Sequence, residues 1–128
     1  MSGATRRIMI IEDNADNRML LNAILGDAFA ITEHAGGPAA LAALATDLPE
    51  IVLCDISLPG MDGVEVLRRI RADAEFRHLP VIAFTAHAMS HDRDRYLTYG
   101  FDDYVTKPIV DESILLGAIA RLLDRVPA

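Results

Sequence analysis

The chain has 128 residues, a length that suits one domain with one hydrophobic core. Its 12 Lys and Arg residues and 19 Asp and Glu residues give a formal net charge of −7, which argues against direct binding to nucleic acid or to an anionic membrane. Its apolar stretches are too short to span a bilayer, and residues 1–7 lack the apolar core of a signal peptide. We therefore predict a cytoplasmic single domain over residues 1–128, without an output domain, that acts on proteins or small ligands.

Apolar runs and amphipathic segments alternate from the amino terminus onward. The run Ile8–Ile11 predicts a first strand, and Asn14 or Asp16 can cap the helix that follows. This helix is predicted to end near Gly26 and to bury one apolar stripe. The stripe consists of Met19, Leu20, Ile24 and Leu25. A second strand is predicted over residues 29–32.

The alternation continues to the end of the chain. A glycine turn at residues 36–37 precedes an alanine-rich helix, and Pro38 suits the first turn of that helix. The later strands are predicted at Ile51–Cys54, Val81–Phe84 and Tyr104–Val105. The later helices are predicted to begin near Gly63, near Ser90 or Asp92, and after the cap Asp111. The apolar positions of these four helices are Leu41, Leu44 and Leu48; Val64, Val66, Leu67 and Ile70; Tyr96 and Leu97; and Ile114, Leu115, Ala118, Ile119 and Leu122.

The order of the elements predicts the fold class. Strands that alternate with helices are typical of a parallel sheet with right-handed crossovers. The runs that end at Ile11, Cys54 and Phe84 are continuously apolar, which indicates interior strands covered on both faces. The strands around Ile31 and Tyr104 are mixed and are predicted to lie at the edges. We predict a doubly wound, five-stranded parallel α/β sheet with five helices, in which Cys54 is a small buried hydrophobe.

Each interior strand ends at a polar side chain. Glu12 and Asp13 follow the first run, Asp55 and Thr85 follow the other two, and Lys107 follows the last strand. Parallel strands present their carboxyl ends at one crevice, where open α/β sheets bind ligands. Carboxylates brought together there recruit a cation, and their hard oxygen atoms favour Mg²⁺ over zinc.

The same groups predict phosphoryl chemistry. A carboxylate beside Mg²⁺ can attack phosphorus, and Asp55 suits that role. The hydroxyl of Thr85 and the ammonium group of Lys107 can take up charge on the transferred group. We predict Asp55, Thr85 and Lys107 as the reacting and charge-stabilising groups.

Four longer motifs carry a family resemblance. They are Ile10-Ile11-Glu12-Asp13-Asn14, Asp55-Ile56-Ser57-Leu58-Pro59-Gly60-Met61-Asp62-Gly63, Phe84-Thr85-Ala86-His87-Ala88-Met89, and Gly100-Phe101-Asp102-Asp103-Tyr104-Val105-Thr106-Lys107-Pro108-Ile109. Over essentially its whole length the chain resembles the receiver domain of two-component response regulators. Locally it is similar to receivers of hybrid kinases and to single-domain cell-cycle regulators.

The resemblance implies the flavodoxin-like strand order 2-1-3-4-5 and a phosphoacceptor role. Asp55 would take a phosphoryl group from a phosphohistidine of a sensor histidine kinase or histidine phosphotransfer protein. Asp13, Asp55 and the backbone carbonyl of Ser57 would ligate Mg²⁺, and Glu12 would act through a bound water. Lys107 would pair with the phosphoryl oxygens, and the peptide bond between Lys107 and Pro108 is expected to be cis.

The resemblance also implies a switch. Thr85 would turn to the phosphoryl group and Tyr104 would turn inward behind it, which would change the surface of the fourth helix, fifth strand and fifth helix. Ser57 and His87 would tune the hydrolysis rate of the acyl phosphate. The chain would then be a phosphoacceptor signalling protein with self-catalysed phosphotransfer and dephosphorylation, not an enzyme with its own substrate, and a monomer or weak dimer.

Other functions remain open at this point. The chain could be a receiver excised from a hybrid histidine kinase, or a receiver that binds partners without phosphorylation. It could also be a small phosphatase that uses Asp55 as its nucleophile, although Ser57 stands where a haloacid-dehalogenase-type phosphatase needs a second carboxylate. Within the receiver class, a phosphate relay and an allosteric regulator are both possible.

Overall fold

Five parallel strands form the centre of the protein. A computed structural model describes residues 6–86, 90–107, 109 and 111–124, and it gives no side-chain detail for residues 90–93. The strands are β1 (Arg7–Ile11), β2 (Ala30–His34), β3 (Ile51–Asp55), β4 (Val81–Thr85) and β5 (Asp103–Thr106). Their order is β2-β1-β3-β4-β5, and each neighbouring pair is parallel. This confirms the predicted flavodoxin-like order.

Five helices connect the strands. They are α1 (Ala15–Leu25), α2 (Gly37–Leu44), α3 (Gly63–Ala72), α4 (Ser90–Tyr99) and α5 (Glu112–Asp124). Side chains at the first turns fix where three of them begin, because their oxygen atoms accept hydrogen bonds from otherwise unpaired amides. Asn14 accepts from the Asn17 amide at 3.0 Å, Asp62 from the Glu65 amide at 2.9 Å and Asp111 from the Ser113 amide at 2.9 Å. Of the two predicted caps of α1, the structure uses Asn14.

The sheet separates two apolar layers. Because successive strand side chains point to opposite faces, Met9, Val52 and Ala83 pack towards α2, α3 and α4, whereas Ile8 and Ile82 pack towards α1 and α5. Strands β3 and β4 are buried along their whole length, and β2 and β5 have mixed burial. The predicted division into interior and edge strands is therefore confirmed, and Cys54 is buried as expected.

The predicted helix faces need correction. In α1 the buried pair is Leu21 and Leu25, whereas Met19 is 70% exposed and Leu20 is 41% exposed. Three successive apolar residues cover most of a helical turn, so the pattern of α1 alone does not select which of them faces the sheet. Further predicted core positions that are exposed are Leu48, which lies beyond the end of α2, Leu97 and Ile114.

The second strand also differs from its prediction by two residues at its carboxyl end. It runs to His34 because its pairing with β1 continues to the register Ile11 with His34. Its amino acid pattern is mixed, as expected for an edge strand, and such a pattern marks the end of a strand poorly.

The guanidinium group of Arg71 joins three segments near the amino end of β4. Arg71 of α3 donates to the Leu79 carbonyl at 2.6 Å and to the Gly100 carbonyl at 2.9 Å. It also bonds the Asp102 carboxylate at 2.9 Å, which in turn accepts from the Val81 amide at 2.8 Å. The carboxyl end of α4 is therefore tied to α3 and to the start of β4.

Within the described ranges, no helix is both long enough and apolar enough to cross a bilayer.

Candidate functional site

The carboxyl ends of four strands bring the predicted site residues together. In the parallel register Ile11 lies beside Cys54, Asp55 beside Phe84, and Thr85 beside Thr106. The residues that end or directly follow these strands, Glu12, Asp55, Thr85 and Lys107, therefore share one edge of the sheet. The Lys107 amide donates to the Thr85 carbonyl at 2.8 Å and continues the pairing past the end of β5.

Three carboxylates form the acidic part of the site. One oxygen each of Glu12, Asp13 and Asp55 lies within 4.8 Å of the others. Glu12 and Asp55 are 0% and 2% exposed, whereas Asp13 is exposed. Burial of the Glu12 carboxyl raises its pKa, although bonds from Lys107 and the Asn14 amide act in the opposite direction.

Lys107 neutralises part of this charge. Its Nζ lies 2.8 Å from Glu12 Oε1 and 2.9 Å from Asp55 Oδ2, and 5.0 Å from the centre of the Phe84 ring. Partial burial acts to lower the pKa of Lys107, but the bonds to Glu12 and Asp55 outweigh burial and raise the pKa overall. Lys107 is therefore charged at neutral pH and bridges the two buried carboxylates.

Backbone amides hold the other carboxylate oxygens. The Asn14 amide donates to Glu12 Oε2 at 3.0 Å, and the Ser57 amide donates to Asp55 Oδ1 at 3.0 Å. Each buried carboxylate thus has one oxygen on Lys107 and one on an amide. Charge-assisted bonds of this kind fix the orientation of both groups.

The loop after β3 folds back closely on the strand that carries Asp55. The Gly63 amide donates to the Ile56 carbonyl at 2.9 Å. A Cβ added at Gly63 would lie 2.3 Å from the Asp55 carbonyl oxygen and 2.8 Å from the Ile56 Cα. Glycine is required here by the close approach of two backbones.

The hydroxyl at the end of β4 has a partner that the sequence did not reveal. Thr85 Oγ1 lies 3.2 Å from the hydroxyl of Tyr96 on α4, and the two residues are 1% and 2% exposed. The Tyr96 ring also lies 6.3 Å from the Tyr104 ring. Tyr96 was predicted only as an apolar position; a tyrosine in an apolar stripe is a signal that its hydroxyl has a buried partner.

The structure places the remaining predicted residues as follows. Ser57 is exposed and Tyr104 is half-buried. His87, Pro108 and the peptide bond between Lys107 and Pro108 lie outside the described residues. The roles predicted for these residues stay predictions.

The carboxylate cluster fits a magnesium ion. Its donors are oxygen atoms from three acids, partly neutralised by one ammonium group, so an excess of negative charge remains. Mg²⁺ prefers carboxylate oxygens and needs only one or two protein carboxylates, because it keeps several waters. The chemistry of the donors therefore suits this ion.

The sheet is doubly wound with strand order 2-1-3-4-5, which is the order of the flavodoxin-like class of α/β folds, and an acid, hydroxyl and lysine site lies at its carboxyl edge. A sequence model of the response regulator receiver domain matches residues 8–120. The chain belongs to the receiver domain family of response regulators.

Individual relatives agree with this assignment. The chain is 41% identical over 120 residues to the response regulator PleD of Caulobacter vibrioides, covering 93% of this chain and 26% of PleD. It is 37% identical over 106 residues to the polar-differentiation response regulator DivK of Brucella ovis, covering 82% of this chain and 86% of DivK. The chain thus spans about a quarter of PleD and most of DivK.

A solved structure is also similar. It is the receiver domain of a sensor histidine kinase from Pseudomonas aeruginosa, which has a magnesium ion coordinated in its active site cleft. The TM-score is 0.85 at 32% identity, with 94% of this chain and 99% of that chain covered. The acidic group formed by Glu12, Asp13 and Asp55 is compatible with Mg²⁺ and with a phosphoaspartate.

Proposed function

We propose that Asp55 accepts a phosphoryl group from a phosphohistidine of a sensor histidine kinase or histidine phosphotransfer protein. The observation that carries the proposal is the setting of this carboxylate. Asp55 is almost fully buried at a strand end, with one oxygen on the Ser57 amide and the other on Lys107. A carboxylate held in this way, beside two further acids, is oriented for reaction with a phosphoryl group and a divalent cation.

The transfer is a displacement at phosphorus. An oxygen of Asp55 forms a bond to phosphorus while the bond from phosphorus to the imidazole nitrogen breaks, and the electron pair of that bond stays on the imidazole. Mg²⁺, when bound, neutralises charge on the phosphoryl oxygens. Lys107 can move from the Asp55 carboxylate to a phosphoryl oxygen, because its ammonium group already lies 2.9 Å from Asp55 Oδ2.

Asp13, Asp55 and the Ser57 carbonyl are the proposed Mg²⁺ ligands, with Glu12 acting through a water. One oxygen each of Glu12, Asp13 and Asp55 lies within 4.8 Å of the others, and the exposed Asp13 side chain is accessible to a hydrated ion. The role of Glu12 through a water follows from the resemblance to receiver domains.

The proposed output is a shift between two states. Thr85 and Tyr104 are the proposed switch residues, and α4, β5 and α5 form the proposed output face for a protein partner. Ser57 and His87 are the proposed tuning residues. The protein is proposed to be a monomer or weak dimer in the cytoplasm, where a sensor kinase has access to ATP.

Mass spectrometry of the intact protein tests the acceptor role. The protein is incubated with acetyl phosphate in the presence and absence of Mg²⁺. We expect one phosphoryl adduct that needs Mg²⁺ and disappears in Asp55→Asn. Asp62→Asn is the matched control, because Asp62 is an exposed acid in the same loop and asparagine also caps a helix.

Two results would contradict the proposal. One is the absence of an adduct under conditions that label another receiver domain, which would favour binding of partners without phosphorylation. The other is sustained release of phosphate from several phosphoesters, which would favour a phosphatase.

A further inference from the structure

We propose that Tyr96 is a positioning residue of the switch: its hydroxyl holds the Thr85 hydroxyl in the unphosphorylated state and loses it on phosphorylation. The inference rests on the proposed function, because it requires Thr85 to turn to a phosphoryl group on Asp55. It adds a residue of α4 to the proposed pair Thr85 and Tyr104.

The first support is the hydrogen bond itself. The Thr85 and Tyr96 oxygens are 3.2 Å apart, and both residues are at most 2% exposed. Little of the Tyr96 side chain is therefore open to water that could replace a lost partner. A buried hydroxyl that loses a hydrogen bond becomes costly, and such a cost drives side-chain rearrangement.

The second support is what else the Tyr96 ring contacts. Its centre lies 6.3 Å from that of Tyr104, at an interplanar angle of 41°. It also lies 6.2 Å from the Phe101 ring in an edge-to-face arrangement. Tyr96 thus contacts the hydroxyl and the aromatic ring of the proposed switch, as well as the connection from α4 to β5.

These contacts have an energetic consequence. The bond between Thr85 and Tyr96 stabilises the state in which the Thr85 hydroxyl lies against the Tyr96 hydroxyl of α4. Movement of Thr85 breaks the bond and leaves the Tyr96 hydroxyl without this partner, so the position of α4 becomes coupled to phosphorylation. Removal of the Tyr96 hydroxyl removes this hydrogen bond to Thr85 and favours the phosphorylated state.

Beryllofluoride, an analogue of the phosphoryl group, tests the inference. It is titrated with Mg²⁺ into the wild type, Tyr96→Phe, Thr85→Ala and the double variant. We expect Tyr96→Phe to tighten binding by about 2- to 10-fold, which corresponds to the net contribution of one neutral hydrogen bond. In the Thr85→Ala background the same substitution should change nothing, because the partner hydroxyl is absent.

Two controls separate this role from a general effect on the helix. Tyr99→Phe removes a hydroxyl from the same helix at a residue that is 48% exposed, and we expect wild-type affinity. Thr85→Ser retains the hydroxyl, so the effect of Tyr96→Phe should persist in that background.

A measurement on the wild-type side chain does not depend on the folding of Tyr96→Phe. The three tyrosines are labelled with ¹³C at Cζ, and the Tyr96 signal is assigned by elimination with Tyr99→Phe and Tyr104→Phe. Beryllofluoride should shift this signal in the wild type. In Thr85→Ala the signal should start near the shifted position and respond less.

The failures of the two proposals are distinguishable. Three results would overturn this inference and leave the acceptor role intact. They are wild-type beryllofluoride affinity in a folded Tyr96→Phe protein, an equal effect of that substitution with and without the Thr85 hydroxyl, and a Tyr96 signal that beryllofluoride does not shift. Absence of any beryllofluoride or acetyl phosphate adduct on wild-type Asp55 would overturn both.

Discussion

Replacement of Gly63 by alanine is expected to destabilise the domain and to weaken Mg²⁺ binding together. The new Cβ would lie 2.3 Å from the Asp55 carbonyl oxygen, a distance that must grow by about 0.7 Å to reach the shortest separation normally found, 3.0 Å. The opposing atoms belong to the backbone of Asp55 and Ile56. No rotation of a side chain can therefore relieve the contact, and the loop itself must move.

The magnitude follows from this geometry. Overpacking of a buried site costs about 1–3 kcal/mol, and we expect a value of about 3 kcal/mol because only backbone displacement relieves the contact. For a domain of this size such a loss lowers Tm by about 10 °C. Alanine is a better helix former than glycine, so the contact itself must account for any loss. Displacement of the loop is also expected to move the Ser57 carbonyl, a proposed Mg²⁺ ligand, so we expect Mg²⁺ affinity to fall by about 10-fold because Mg²⁺ requires near-ideal geometry.

Thermal unfolding and calorimetric titration with Mg²⁺ measure the two effects. Gly117→Ala is the matched control, because Gly117 lies within α5 and a Cβ there would meet the end of the flexible Arg121 side chain at 3.4 Å. That variant should be stabilised by up to about 1 kcal/mol and keep its Mg²⁺ affinity. A Gly63→Ala protein with wild-type Tm and wild-type Mg²⁺ affinity would refute the close approach of the loop to β3.

Three further predictions concern charged side chains. Arg71→Met should lower the free energy of unfolding by about 2–3 kcal/mol in urea titrations, because it removes charge-assisted bonds to three segments. In the control Arg68→Met, at a side chain that is 70% exposed, the free energy of unfolding should stay within about 0.5 kcal/mol of the wild type. Lys107→Met should lower Tm without Mg²⁺ and tighten Mg²⁺ binding by about 10-fold, because loss of a cation increases the negative charge of the site; unchanged Mg²⁺ affinity would contradict this. The bonds from the Ser113 hydroxyl and amide lower the pKa of Asp111 below its ordinary value of 3.8. The stabilisation that these bonds give to the folded state is therefore present above pH 3.8 and is lost as the pH falls through the lowered pKa. Asp111→Ala should therefore lower Tm at neutral pH by an amount that shrinks in acid, and a difference that is constant with pH would be inconsistent with this cause.

The sequence allowed the strands and the acidic site to be predicted because both depend on local order. Continuous apolar runs identify interior strands, and in a parallel sheet the residues that follow them necessarily share an edge. That reasoning placed Asp13, Asp55 and Thr85 together without knowledge of any distance. It also placed Lys107, although its position rests on a short, mixed strand.

The features that were missed depend on contacts between distant segments. The choice of Leu21 over Leu20 as a buried residue of α1 depends on how that helix is rotated against the sheet. The bond between Thr85 and Tyr96 depends on the approach of α4 to β4. The bonds of Arg71 to backbone carbonyls depend on loops whose paths have no sequence period. Packing between elements decides all three, so local patterns could not predict them.

The Arg71 bonds limit how α4 can move. They anchor Gly100, which directly follows the helix and has a φ of 115°, whereas the amino end of α4 begins five residues after Thr85. A ten-residue helix is about 15 Å long, so a tilt of about 10° about its anchored end displaces the other end by about 2.6 Å. We therefore expect α4 to rotate about Gly100, with its largest displacement at its amino end, beside the proposed phosphoryl site, and almost none at Gly100.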